Sequence, residues 1–194
     1  MKLIIASNNK GKIREYKQLL EPFGYEVFSQ RESGIEIEVE ETGTTFEENS
    51  ALKARAIYEI THTAVLADDS GLEIDALDGE PGVYSARYGG LENDEERTAL
   101  VLEKMKNIPD EKRNAHFTCA IHFIKENGEE ITAEGKVYGK IGYKPEGKNG
   151  FGYDPIFVYE GKTFAEHSSE LKNKVSHRAN ALEELVRKLK NGKE

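Results

Sequence analysis

The feature of this sequence that most restricts its fold is an apolar segment that runs into two consecutive acids, VLADDSGL at residues 65–72. The apolar residues are typical of a buried strand, which the sequence predicts to end at Asp68 and Asp69. Adjacent carboxylates raise each other's pKa unless positive charge lies close by, and a divalent cation with oxygen ligands commonly supplies that charge. A solvated Asp-Ser-Gly turn explains the same residues equally well. The choice between a cation site and a solvated turn therefore depends on the rest of the sequence.

Length and composition limit the class of protein. At 194 residues the chain is long enough for one domain with a substantial core. No apolar run approaches the ~20 residues of a membrane span, residues 1–6 turn polar too soon for a signal peptide, and the single cysteine, Cys119, cannot form an intrachain disulfide. These features predict a cytoplasmic protein without a membrane partner. The net charge of −9 argues against long nucleic acid as a partner, but not against a nucleotide.

A polar loop follows the first predicted strand, which covers residues 2–6. The loop has the sequence SNNKGK, and apolar residues at helical spacing begin just after it, at Ile13. Free amides at a helix N-terminus, together with Lys10 and Lys12, would bind an anion such as phosphate. The spacing is not that of a Walker A loop, and a capped turn without a ligand is the alternative.

Two further segments supply candidate ligands. Strict alternation in residues 35–40 (IEIEVE) predicts an edge strand. Glu41 follows the end of this strand, beside a glycine, which makes it a better candidate ligand than the glutamates on the wet face. The Thr-x-x-Glu spacing from Thr45 predicts a capped helix. Lys53 on that helix is ordinarily a surface lysine, but it would reach a phosphate if the helix began beside the acidic strand end.

The second half of the chain contains a predicted β-hairpin and a glycine-flanked aromatic ring. Asn-Gly at residues 127–128 lies between two strand-like runs, which is a strong hairpin signal. Phe151 lies between two glycines, an arrangement that suits stacking on a nucleobase and suits a packed turn equally well. A terminal helix is predicted to open at residues 176–178 (SHR), where cations oppose the helix dipole and are therefore expected to have a partner.

These segments resemble the inosine-triphosphate pyrophosphatase family, whose members hydrolyse non-standard purine nucleoside triphosphates such as ITP, dITP and XTP. The resemblance covers essentially the whole chain. It rests on seven motifs in family order: SNNKGK at 7–12, EETG at 40–43, FEEN at 46–49 with Lys53, ADDSG at 67–71, PGVYSAR at 81–87, GFGYDP at 150–155 and SHR at 176–178. No single motif is decisive, but seven in the right order are specific.

The resemblance implies an α/β fold in which a long, twisted, mixed β-sheet is flanked by helices. Residues 1–194 would form a single two-lobed domain with the active site in the cleft between the lobes. The resemblance also implies a homodimer, Mg²⁺ as cofactor and a nucleoside triphosphate as substrate. Water would attack the α-phosphorus, giving the monophosphate and pyrophosphate, and so cleanse the nucleotide pool.

The site residues carried over from the family divide by role. Those that would hold the triphosphate are Ser7, Asn8, Asn9, Lys10, Gly11, Lys12 and Lys53. Glu41 and Asp69 would bind Mg²⁺, and Asp69 is also the candidate base for the attacking water. Asp68 would support the site, and Ser70 would contact the substrate. Those that would contact the base are Phe151, Gly152, Tyr153, Asp154, Lys172, His177 and Arg178.

Two alternatives remain open at this level. A related pyrophosphatase could act on modified pyrimidine or methylated nucleotides, because base specificity depends on a few pocket contacts. A non-catalytic nucleotide-sensing module would keep the lysine loop but would not need both Glu41 and Asp69. The segment before Lys172 also departs from the usual family pattern, at His167 and Leu171, so the role of Lys172 is the one least supported by the motifs.

Overall fold

The structure, a computed structural model, describes residues 1–191; residues 192–194 of the predicted domain lie outside the described residues. The described part contains seven strands and five α-helices. The strands are β1 Lys2–Ile5, β2 Glu26–Ser29, β3 Val65–Ile74, β4 Asn114–Ile124, β5 Glu130–Ile141, β6 Phe157–Tyr159 and β7 Lys162–Thr163. The helices are α1 Lys10–Leu20, α2 Phe46–Thr61, α3 Asp94–Met105, α4 Ser169–Val175 and α5 His177–Asn191.

The strands form one mixed sheet in the order β2-β1-β3-β4-β5-β6-β7. β1 pairs in parallel with both β2 and β3, with Ile4 opposite Phe28 and Val65. β5, β6 and β7 pair in antiparallel fashion. Parallel neighbours need crossover connections, which α1 and α2 supply. The predicted α/β class with a mixed sheet is therefore confirmed.

The chain divides into two compact units. Unit 1 consists of residues 1–69, residues 119–135 and the described residues from Arg178 onward, and unit 2 consists of residues 70–118 and 136–177. In unit 1, successive residues of β1 belong to different clusters of the apolar core, because side chains alternate between the two faces of a strand. Leu3 and Ile5 pack with residues of α1 and α5, whereas Ile4 packs with residues of α2. Helices therefore cover both faces of this part of the sheet.

Unit 2 has its own apolar core. This core contains buried residues of α3 and of the strands. It includes Phe117 and Phe157, whose ring centroids are 4.7 Å apart. Within the described residues, no helix combines the length and the apolar character needed to cross a membrane.

Several local predictions are confirmed. Thr45 caps α2 through a complete capping box with Glu48, and α5 begins at His177. β4 and β5 are neighbours in the sheet and flank the Asn-Gly turn at residues 127–128. Each of these features depends on residues that are close in sequence, which is why local patterns could predict it.

Two predictions about strands are wrong. Residues 35–40 do not form a strand: the Ile35 amide donates to the Gln30 carbonyl, and the Gln30 side chain donates to the Ile37 carbonyl, so these backbone groups are paired outside the sheet. The strand that was predicted to end at Asp68 and Asp69 continues to Ile74. Two carboxylates can lie inside a strand because, as described next, each meets a cation.

Candidate active site

Asp68 lies on the face of β3 that is covered by α1 and α5. Its side chain is almost fully buried, and its Oδ2 atom lies 3.0 Å from Lys12 Nζ and 3.5 Å from Arg178 Nε. Arg178 Nη1 donates to Glu15 Oε2 at 2.8 Å. Burial alone would raise the pKa of Asp68, but the charges of Lys12 and Arg178 outweigh it and lower the pKa to about 2. Asp68 is therefore ionised at neutral pH and anchors two cations.

Asp69 points to the opposite face of the strand, toward α2, because adjacent residues of a strand alternate. Asn49 Nδ2 donates to its Oδ2 at 3.1 Å, and Lys53 Nζ lies 3.6 Å from its Oδ1. Burial raises the pKa of Asp69, against the opposing charges of Lys53 and Lys12. A carboxylate with a raised pKa is a better proton acceptor at neutral pH. The two neighbouring acids thus have opposite pKa shifts and suit different roles.

Glu41 is brought to the same ammonium group as Asp69. Lys53 Nζ donates to Glu41 Oε1 at 2.7 Å, and Lys53 is itself half-buried. Burial lowers the pKa of Lys53, but the charges of Asp69, Asp68 and Glu41 outweigh this and raise it. Lys53 therefore stays charged and lies between two carboxylates that are 28 positions apart in the sequence.

This donor set fits Mg²⁺ bound together with a phosphate. Mg²⁺ takes oxygen ligands, commonly one or two carboxylates plus substrate phosphates and water, and Glu41 and Asp69 supply two carboxylates at one place. Among the described residues there is no group of three or more His, Cys, Asp or Glu side chains arranged to hold a metal. The arrangement therefore suits an ion shared with a ligand rather than a closed protein cage.

The predicted phosphate loop forms a capped helix N-terminus. Asn9 Oδ1 accepts from the amides of Gly11 and Lys12 at 2.9 and 3.1 Å, and the Asn9 amide donates to Ser7 Oγ at 3.1 Å. The amides of Gly11 and Lys12 are therefore open to a phosphate only if the Asn9 side chain turns away. Asn8 and Lys10 are exposed.

In unit 2, the structure brings Phe151, Asp154 and Lys172 together. Lys172 Nζ donates to Asp154 Oδ2 at 2.5 Å and lies 4.8 Å from the centroid of the Phe151 ring. Asp154 Oδ2 also accepts from the Phe151 amide at 2.9 Å. A glycine is required at position 150, because φ is +77° there and a Cβ atom would lie 2.0 Å from Asp154 Oδ2. Lys172, the residue least supported by the motifs, thus lies beside the predicted base-stacking ring.

The other predicted site residues of unit 2 lie in several settings. The Tyr153 hydroxyl donates to the Ser85 carbonyl at 2.8 Å, and the Gly152 amide donates to Asp94 Oδ2 at 2.7 Å. His177 is buried with its ring stacked on Phe117, at 4.8 Å between centroids. Ser70 follows Asp69 in β3 and is half-buried.

Three residues that hold these side chains in place were given no site role from the sequence: Glu15, Asn49 and Asp94. Asn49 entered only as part of the FEEN motif that accompanies Lys53. Glu15 lies three positions after Lys12 on α1 and Asn49 lies four before Lys53 on α2, so both share a helix face with a predicted phosphate ligand. That spacing could have marked them as candidates. Asp94 carries no comparable signal, because an acid in the first turn of a helix is common.

Known proteins resemble this chain over nearly its full length. A family model described as the Ham1 family matches residues 3–188. A protein named dITP/XTP pyrophosphatase from Bacillus subtilis (strain 168) is 50% identical over 189 residues, which cover 96% of each chain.

Two solved structures share the fold. The Staphylococcus aureus Ham1 protein has a TM-score of 0.85 and 42% identity, and all of both chains is covered. A HAM1 protein from Coxiella burnetii has a TM-score of 0.86 and 41% identity, with 98% of this chain and 99% of that chain covered. The resemblance predicted from seven motifs is confirmed, and the chain belongs to the Ham1 family.

Proposed function

We propose that this chain is a dITP/XTP pyrophosphatase, which hydrolyses non-standard purine nucleoside triphosphates to the monophosphate and pyrophosphate. It is a hydrolase that acts on acid anhydrides. The observation that carries the proposal is the convergence of Glu41, Lys53 and Asp69 in unit 1. Relatives about 50% identical over nearly the full chain are named dITP/XTP pyrophosphatase, which supports the substrate class.

Unit 1 would carry out the chemistry at the triphosphate. Glu41 and Asp69 would hold Mg²⁺, which when bound neutralises phosphate charge and makes water more acidic. Lys12 and Lys53 would bind phosphate oxygens and stabilise the charge that develops on the leaving pyrophosphate. Asp68 stays ionised and keeps Lys12 in place, because its pKa is held near 2.

Asp69 would accept the proton of the attacking water. As the new bond from this water to the α-phosphorus forms, the bond from that phosphorus to the bridging oxygen breaks, and pyrophosphate leaves. Asp69 suits this role because it lies with Glu41 at Lys53, where the metal and the attacking water would be held. Asp68 instead pairs with Lys12 and Arg178 on the other face of β3, so the two acids are not interchangeable.

Unit 2 would recognise the base. The Phe151 ring would stack on the purine, and Lys172 beside it would offer a donor to the 6-keto oxygen of hypoxanthine or xanthine. Adenine presents a donor at that position, which would face the lysine donor instead of accepting from it, so adenine would be disfavoured. Arg178 forms ion pairs with Asp68 and Glu15, so its predicted contact with the nucleobase stays a prediction. The homodimer and the cytoplasmic location also stay predictions.

A substrate panel in ¹⁸O-labelled water tests the proposal. The enzyme with Mg²⁺ is given dITP, ITP, XTP, dATP, GTP, dUTP and dTTP in turn, and the products are identified by mass. We expect dITP, ITP and XTP to be hydrolysed fastest, with pyrophosphate as co-product and the label in the monophosphate, because water attacks the α-phosphorus.

Three results would contradict the proposal in different ways. Label in the pyrophosphate would move the attack to the β-phosphorus. Comparable rates on dUTP and dTTP would favour a pyrophosphatase of broader or pyrimidine specificity. Binding of dITP without any product, with and without Mg²⁺, would favour a nucleotide-sensing module.

A further inference from the structure

Asn49 is a fully buried polar residue on α2, with 0% of its surface exposed. Burying an amide without hydrogen bonds is costly, but the oxygen and the nitrogen of the Asn49 side chain each form a hydrogen bond. Its Oδ1 accepts from the Gly43 amide at 2.8 Å, and its Nδ2 donates to Asp69 Oδ2 at 3.1 Å. One side chain therefore connects the loop that follows Glu41 to the acid in β3.

The chemistry of the two partners dictates which way this amide faces. The backbone amide of Gly43 can only donate, so it requires the oxygen of Asn49. The nitrogen of Asn49 then faces Asp69 and requires an acceptor, which an ionised carboxylate provides. An aspartate at position 49 could still accept from Gly43 but could not donate to Asp69 unless it were protonated. Asparagine serves both partners with one short side chain.

The loop can reach Asn49 because residue 43 has no side chain. A Cβ atom at this position would lie 2.7 Å from Asn49 Oδ1 and 2.7 Å from Glu48 Cβ. Real atoms do not approach so closely, so a larger residue would push the loop away from α2. Because Glu41 lies only two residues before Gly43, such a shift would also move its carboxylate.

α2 therefore holds both acids in two ways that differ in kind. Lys53 holds Glu41 and Asp69 by charge, whereas Asn49, an uncharged side chain, holds the Gly43 loop and Asp69 by hydrogen bonds. In the proposed reaction, Lys53 exchanges its carboxylate contacts for phosphate contacts. The contacts of Asn49 do not compete with a phosphate, so they can persist when substrate is bound.

We infer that Asn49 is a positioning residue that sets the spacing of Glu41 and Asp69 for Mg²⁺. It acts through Asp69 and through the Gly43 loop, and not by contact with the substrate. This inference rests on the proposed function, because it concerns the two carboxylates assigned to the metal there. Residues that orient metal ligands in this way commonly contribute 10–100-fold to metal affinity.

The test compares Asn49→Ala, Asn49→Asp and Gly43→Ala with a matched control, Ser50→Ala. Ser50 is the next residue on α2, is equally buried, and donates to the Glu47 carbonyl. Mg²⁺ is titrated calorimetrically into each protein saturated with the α,β-methylene analogue of ITP, and the heat of Mg²⁺ binding to the free analogue is subtracted. The Mg²⁺ concentration for half-maximal hydrolysis of dITP and the thermal midpoint are measured in parallel.

We expect all three test variants to weaken Mg²⁺ binding and to raise the half-saturating Mg²⁺ concentration about tenfold or more. Asn49→Asp is the most informative of them, because it keeps the acceptor for Gly43 and loses the donor to Asp69. Gly43→Ala disrupts the same hydrogen bond from the loop, so it tests the inference even if Asn49→Ala does not fold. Ser50→Ala should leave both metal readouts unchanged.

Unchanged Mg²⁺ binding in Asn49→Asp and Gly43→Ala would overturn the inference, even if the thermal midpoint falls. An equal loss of Mg²⁺ affinity in Ser50→Ala would also overturn it, because the effect would then be general to buried polar groups of α2. Failure of the proposed function is a separate result, since it appears as a wild-type protein that releases no pyrophosphate from dITP. The calorimetric comparison requires only that the protein binds the analogue, so it can also be made with a protein that binds the nucleotide without turnover.

Discussion

Unit 1 and unit 2 both bury charged side chains, but they support them differently. In unit 1, Asp68 and Asp69 lie inside a strand and meet cations from three helices, namely Lys12, Lys53 and Arg178. In unit 2, Asp154 lies in an irregular segment, and its partner Lys172 comes from the short helix α4. The acids of unit 1 are therefore held by the sheet. Asp154 of unit 2 is held by a loop, which depends on contacts such as the hydrogen bond from the Gly152 amide to Asp94.

This difference predicts different consequences of substitution. A strand that lies between two neighbours in the sheet keeps its carboxylates in place when one charge is removed, so changes in unit 1 should act on the rate of the chemical step. A loop held by a few hydrogen bonds loosens when one is removed, so changes there should act on substrate affinity. A comparison of kcat with KM separates the two cases.

The largest effect is expected for Asp69→Asn. The substitution keeps the shape of the side chain and an oxygen that can accept from Asn49, but it removes the charge and the proton acceptor. We expect kcat for dITP to fall by about 1,000-fold, which is within the range for loss of a general base. Binding of dITP, measured by calorimetry in Ca²⁺ or without metal, should remain largely intact.

A suitable control is Glu59→Gln, which removes a carboxylate from the exposed surface of α2 in the same unit. It should have wild-type kcat and KM. Unchanged turnover in Asp69→Asn would defeat the proposed mechanism. A large rise in KM without a fall in kcat would break the comparison, because unit 1 would then be acting in binding alone.

An effect of intermediate size concerns two buried groups of unit 1 beside Asp68. The Tyr16 hydroxyl and Cys119 Sγ lie 3.7 Å apart. Burial, assisted by the charge of Asp68, raises the pKa of Cys119 to about 12 and raises that of Tyr16 well above its usual value. Both groups are therefore neutral in the folded protein at any pH at which the unfolded thiol, with a pKa of about 8.5, begins to ionise.

The contribution of Cys119 to the free energy of unfolding is therefore fully present below pH about 8.5 and is lost as the pH rises toward about 12. In urea titrations at pH 7 and pH 10, we expect Cys119→Ala to lose about 2 kcal/mol less stability than the wild type over this interval. Tyr16→Phe should change the slope much less, because an unfolded tyrosine, with a pKa of about 10, is only about half ionised at pH 10 and contributes about 0.4 kcal/mol. Equal slopes in all three proteins would show that the thiol ionises in the folded state.

The parts of the fold that could be predicted from sequence are those whose signal is local. The Thr45 capping box, the start of α5 at His177 and the Asn-Gly turn each depend on a few neighbouring residues. Residues 35–40 show the limit of such signals. Alternation tells which side chains are buried, but a strand also needs a neighbouring backbone to pair with, and here Gln30 takes that role instead.

The candidate site shows the same limit more sharply. Of the residues predicted to meet the phosphates and the metal, Glu41 and Asp69 lie at Lys53, whereas Lys12 lies at Asp68. The partners of the residues that hold them were not predicted, since these contacts join distant positions. Glu15 lies 163 positions from Arg178 in the sequence, and Asn49 lies 20 positions from Asp69. No local pattern reports a pairing of that kind.

The smallest effect is expected in unit 2, for Asp94→Ala. Asp94 Oδ2 accepts from the Gly152 amide at 2.7 Å, and Arg97 Nη2 donates to its Oδ1 at 2.6 Å. Loss of this contact in a partly exposed loop should cost about 1 kcal/mol, which is about a fivefold rise in KM for dITP with kcat nearly unchanged. Asp94→Asn keeps an oxygen for the Gly152 amide and should lie closer to wild type. A fall in kcat with unchanged KM would show that this loop acts on the chemical step, and the difference between the two units would then disappear.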